Sequence, residues 1–160
     1  MVEPWLRGTL TEFDAVRRQV LHALELAVED VERWCSGLTD AEMEARPAEV
    51  APVGFHLRHM ARSLDRLLTY AEGLELSEAQ LAALACEMEA TVDPLEECLS
   101  MIAEAMERVK RFLPETYEEV RFVGRKRLPT TVGGLLIHCA EHTQRHVGQA
   151  ITTARVAPRT

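Results

Sequence analysis

Apolar residues recur at steps of three and four along this sequence, a period that commits a chain to amphipathic helices, each needing a partner for its buried face. Between Thr11 and Trp34 the stripe reads Phe13, Val16, Val20, Leu24, Ala27, Val31 and Trp34. From Val53 to Ala71 a second stripe runs through Leu57, Met60, Ala61, Leu64, Leu67 and Leu68. Another occupies Thr131 to Arg155, with Val132, Leu135, Leu136, Cys139, Thr143, Val147, Ala150, Ile151 and Ala154. A further long helix is expected from Asp93, its cap, to Phe112, because Pro94 can begin a helix and Pro114 stops one. Four long amphipathic segments with almost no alternating pattern predict an all-α protein built as a four-helix bundle.

The intervening residues supply the punctuation. Cys35-Ser36-Gly37 should end the first helix, and Thr39-Asp40-Ala41-Glu42 can open a short turn before Pro47 and Pro52 mark a loop. Gly73 closes the second helix. Ser77 and Gln80 are spaced as a capping box, which predicts a short extra helix within Ser77 to Ala90, between the second and third long helices. Tyr117 to Thr131 reads as a linking loop containing Gly124, Pro129 and the cluster Arg125-Lys126-Arg127, with room for an extended piece at Val120 to Val123.

Composition narrows the function classes. A chain of 160 residues predicts a single domain over 1–160. Its 18 basic against 26 acidic residues give a net charge of −8, which repels a phosphate backbone, so no nucleic-acid partner is expected. The longest uncharged run, Leu128 to Ala140, is 13 residues and falls short of the ~20 that cross a bilayer, so no membrane span is expected. The first residues lack a basic start and an apolar stretch, so no secretory signal is expected. Cys35, Cys86, Cys98 and Cys139 lie far apart without a CxxC pair, which points to a reduced, cytoplasmic protein. No Gly-rich phosphate loop and no G-x-S-x-G elbow is present.

Five of the six histidines fall in two segments: His56 and His59 on the second predicted helix, and His138, His142 and His146 on the last. His142 and His146, four apart, lie about 6 Å from each other along a helix axis and can share one ion. His138 is ~12 Å from His146 by the same rise, too far for all three to ligate one metal. A zinc-like site wants a third ligand from another element, and the second helix offers His59 or its rival His56. Helical wheels place His59, His142 and His146 on the flanks of their stripes, at the edge of the core. His22, alone on the first helix, reads as a surface or packing residue.

Val53-Gly54-Phe55-His56-Leu57-Arg58-His59-Met60-Ala61 and His138-Cys139-Ala140-Glu141-His142-Thr143-Gln144-Arg145-His146-Val147-Gly148-Gln149, with the Gly124-Arg125-Lys126-Arg127-Leu128-Pro129 approach, resemble the DinB/YfiT-like superfamily of bacterial metal-binding four-helix bundles. The resemblance runs from the first helix to about Val156. It implies an up-down-down-up bundle, often dimeric, with His59, His142 and His146 as a metal triad. The implied cofactor is a divalent metal, zinc or nickel foremost, with iron, manganese or cobalt also accommodated. Characterised members include thiol-dependent transferases and isomerases that use mycothiol, bacillithiol or glutathione, which implies a low-molecular-weight thiol cosubstrate. Members often carry a His just before the last ligand, where this chain has Arg145.

The leading expectation is therefore a cytoplasmic, homodimeric, metal-dependent thiol S-transferase or isomerase with a three-His site. A non-catalytic bundle acting as a homodimeric or partner-binding scaffold and a metal-dependent hydrolase are the two alternatives. No catalytic residue is assigned. Glu141 reads first as a solvated helix charge, with a base or a partner of a ligand imidazole as the sharper role. Cys139 reads first as a small buried apolar residue rather than a thiolate. Arg125, Lys126 and Arg127 read as a solvated loop, with attraction of cosubstrate carboxylates as the alternative. Gly148 is expected to allow close helix approach, and Gln149 to hydrogen-bond within the bundle.

Overall fold

The Asp14 side chain accepts hydrogen bonds from the backbone N–H groups of Val16 and Arg17 and so starts the first long helix, α1 (Ala15–Cys35). The computed structural model describes residues 2–157. Thr39 and Glu42 form a capping box on the short α2 (Asp40–Met43), and α3 (Val53–Ala71) follows Pro52. Gly73, at φ 79°, takes the left-handed conformation that ends α3. The Ser77–Gln80 capping box opens α4 (Glu78–Ala85), the short extra helix expected between the second and third long ones. Asp93 caps α5 (Pro94–Val109), and Thr131 caps α6 (Val132–Val156). Three short 3₁₀ turns each begin at a proline: Pro4, Pro47 and Pro114.

The chain is thus mostly helical, with six α-helices and one small sheet among the described residues. The sheet fills what reads in sequence as a linking loop. Strand β1 (Val120–Val123) pairs antiparallel with β2 (Leu128–Thr131), Val120 opposite Thr131 and Val123 opposite Leu128. Only the first strand carries an extended signal, because the second contains Pro129 and two threonines.

Helix α3 packs on α5 and α6, and α1 packs on the same two helices. Their facing stripes put Leu21, Leu24, Leu57, Leu64, Leu68, Ile102 and Leu136 out of contact with solvent. One buried polar side chain in that core decides a local sequence choice. Arg58 is fully buried, and its Nη1 donates to Glu44 Oε1 at 2.7 Å. A Cβ at position 54 would collide with the Glu44 carboxylate, so Gly54 makes room for that pair.

Candidate metal centre

His59 on α3 meets His142 and His146 on α6 because both helices present these residues at the flank of their apolar stripes. One ligand atom from each of the three imidazoles lies within 4.8 Å of the others. His59 Nε2 is 3.3 Å from His142 Nε2, and the His146 ring centroid stands 4.5 Å from that of His59 and 4.6 Å from that of His142. Phe55, one turn before His59, stacks on its ring with centroids 5.4 Å apart and covers one side of the cluster.

The donor chemistry suits a divalent cation. Burial, reinforced by the neighbouring imidazoles, pushes His142 and His146 down to about 4, so both rings are neutral at pH 7 and carry a lone pair. His59 Nδ1 donates to Glu87 Oε2 at 2.8 Å, which leaves its Nε2 as the lone-pair nitrogen facing His142. Two imidazole nitrogens at ~2.0–2.1 Å from one tetrahedral zinc stand roughly 3.3 Å apart, the separation between His59 and His142. Three imidazoles leave at least one coordination position open.

Glu87 is the residue that sequence reasoning misses. It lies between α4 and α5, is only 8% exposed, and also accepts from Arg66 Nη2 at 2.8 Å. Burial alone would raise its carboxyl pKa, but the hydrogen bonds from His59 and Arg66 outweigh burial and hold it below the usual range. Arg66 Nη2 in turn donates to Ser63 Oγ at 2.9 Å. One signal in the sequence bears on this arrangement: Ser63 and Arg66 follow His59 at steps of four and three and so share its side of the helix.

The other candidates fall outside the triad. His56 is buried and sets its Nδ1 3.1 Å from His146 Nδ1, packing on the outside of the cluster. Its pKa is lowered by burial and by His59. His138 is half-buried, its ring centroid 5.5 Å from that of His142, and its Nδ1 pairs with Glu141, which also binds Arg145. Cys139 is buried, with its thiol pushed up to about 12, and supplies no thiolate at neutral pH. His22 is a packing residue, buried and bonded to Glu25. Gly148 does not mediate close helix approach, since a Cβ there would meet nothing within 4 Å. The Arg125–Arg127 cluster sits on the hairpin, whose Arg121 Nε binds Ala71 O at the far end of α3. Twelve residues of helix at 1.5 Å each put that end about 18 Å from His59, so these cations do not line the triad.

A family model described as the DinB superfamily matches residues 23–150, a span that contains all three histidines. No curated protein and no solved structure matches the chain.

Proposed function

Because the chain belongs to the DinB superfamily and brings three imidazoles together, we propose that it is a metal-dependent enzyme performing thiol-dependent S-transfer or isomerisation. The observation that carries this reading is the convergence of His59, His142 and His146, which we assign as the metal ligands. Zinc or nickel suits three imidazoles, and iron, manganese or cobalt can be accommodated. A divalent cation held by His59, His142 and His146 would lower the pKa of a thiol brought to it and so would supply a sulfur nucleophile at neutral pH.

The protein's own groups serve that chemistry by holding still. Glu87 keeps the proton on His59 Nδ1 and so directs Nε2 inward, and Arg66 keeps Glu87 ionised. Phe55 limits water on one face of His59. His56 engages His146 Nδ1, leaving His146 Nε2 for the metal.

We read the architecture as an up-down-down-up bundle. His56 opposes His146 and His59 opposes His142, so α3 and α6 run in opposite senses. Gln144 reaches Ala23 O while Arg155 covers Trp34, which sets α1 parallel to α6. Arg62 meets Glu97 and Asp65 meets Arg108, which sets α5 parallel to α3. Exposed Leu81 and Leu84 on α4, with exposed Met88 just beyond it, support a homodimer. No helix of the described residues is long and apolar enough to cross a membrane; four cysteines spaced far apart without a CxxC pair favour a cytoplasmic site of action.

Metal analysis of the untagged protein and of single alanine variants tests the assignment. About one equivalent of metal is expected in the parent and in His56→Ala, with loss in His59→Ala and His142→Ala. Parent protein that stays empty after incubation with zinc, nickel, manganese and iron would leave the scaffold reading in its place. The loaded protein should consume electrophiles only when a low-molecular-weight thiol is supplied. Turnover of activated esters without thiol would convert the reading to a hydrolase.

A further inference from the structure

We propose that the groove between the loop 47–51 and the last turns of α6 is a binding site for a small amphiphilic molecule, with an apolar body and one carboxylate. The groove encloses about 920 Å³, within the ~300–1,000 Å³ usual for small-molecule sites. Its walls are mainly apolar, with Pro47, Val50 and Ala51 on one side and Gly148, Thr152 and Val156 on the other.

Three observations specify the occupant. Among the described residues Arg145 is the one charged residue lining the groove and no lining residue is a carboxylate, in a chain whose acidic residues outnumber basic ones by 26 to 18, so an anion is favoured there. Glu141 engages Arg145 through Nη2, and no other described residue binds Nε or Nη1, so the guanidinium retains donors for a carboxylate. His56, 5% exposed, forms part of the wall and places its Nδ1 3.1 Å from His146 Nδ1. The groove therefore ends one imidazole away from the triad, where a bound molecule would lie beside the reacting centre.

Gly148 explains itself in this setting. Its missing side chain leaves open space on the groove side of α6, where an added Cβ would meet nothing within 4 Å. Ala48 and Glu49, in the facing loop, both hold left-handed conformations at φ 50° and 63°. Non-glycine residues resist that region, and such strain concentrates where backbone shapes a ligand site.

The inference rests on the proposed function in treating the occupant as the thiol's co-reactant, but binding is measurable without metal. Octanoate and octanol serve as probes for calorimetric titration of the full chain, once with chelator and once with zinc. Octanoate should bind one per chain under both conditions. Arg145→Gln should weaken octanoate by about tenfold and change octanol little. Gly148→Leu, and independently Thr152→Leu, should abolish binding of both probes while keeping the parent's unfolding midpoint and metal content. Failure of octanoate to bind at millimolar concentration, or unchanged binding in both leucine variants, would overturn the site. Equal affinity for octanol and octanoate would overturn the carboxylate. Probe binding in a protein that takes up no metal would leave the groove standing and remove the metal reading alone.

Discussion

Glu87 Oε2 accepts a hydrogen bond from His59 Nδ1 at 2.8 Å, which ties the segment between α4 and α5 to the edge of the imidazole cluster. A carboxylate in that position fixes both the tautomer and the direction of the ring. Glu87→Gln preserves shape but removes the charge that holds the proton on Nδ1 and pairs with Arg66. The variant should bind zinc about 10- to 100-fold more weakly than the parent, measured by competition with a chromogenic chelator. Unchanged affinity would mean that His59 orients itself through Phe55 stacking and needs no carboxylate.

Asp14 anchors the start of α1 to the hairpin side of the molecule, accepting from Val16 N, from Arg17 and from the Tyr117 hydroxyl at 2.8 Å. Burial acts to raise its carboxyl pKa, but the hydrogen bonds from Arg17 and Tyr117 prevail and lower it. The folded pKa is thus below the unfolded one, so this contribution is complete above about pH 4 and is lost as pH falls through the lower folded value. Asp14→Ala should cost about 1–2 kcal/mol in denaturant unfolding at pH 7. Asp14→Asn retains a capping oxygen, so it should cost less at pH 7 and should flatten the decline in acid.

Arg58 reaches Glu44 with one nitrogen while its buried Nε and Nη2 have no partner among the described residues. Removing Glu44 leaves an uncompensated interior charge, and Glu44→Ala should destabilise by on the order of 3 kcal/mol. Arg58→Met removes the charge together with its unmet donors and should be close to neutral. Gly54→Ala forces a methyl group against the Glu44 carboxylate and should cost about 1–3 kcal/mol. Guanidinium titrations of the three variants, compared at constant slope, check the order.

Helix positions were legible in the sequence because burial and period coincide there: Ser77 and Asp93 each cap the helix that their spacing announces, while the capping role of Thr131 on α6 is seen in the structure alone. The hairpin was only half legible, since Pro129 hides β2 and its pairing with β1 is a tertiary fact. The proximity of His59, His142 and His146 followed from resemblance, while spacing alone left His56 in contention. What separates the two is their angle about α3: His56, nearer the core face, is buried against His146, whereas His59, at the flank, opens toward both rings. Glu87 was invisible because its role depends on how an irregular segment folds back over α3, and nothing in its local sequence records that path.

Metal binding should appear as folding stability. The triad joins α3 to α6, and an ion that binds only the folded arrangement stabilises it by mass action. At free zinc 100-fold above its dissociation constant the gain is about 2.7 kcal/mol. A shift of several degrees in the thermal midpoint is then expected for a chain of this size. The shift should reverse with chelator and vanish in His142→Ala, whose own fold is retained because His142 is only half-buried at the core edge. His138→Ala should behave as the parent, because its half-buried ring binds Glu141 and is not one of the three converging ligands. A zinc-induced shift that survives His142→Ala but disappears in His138→Ala would move the ion to the surface end of α6 and displace the triad from its assigned role.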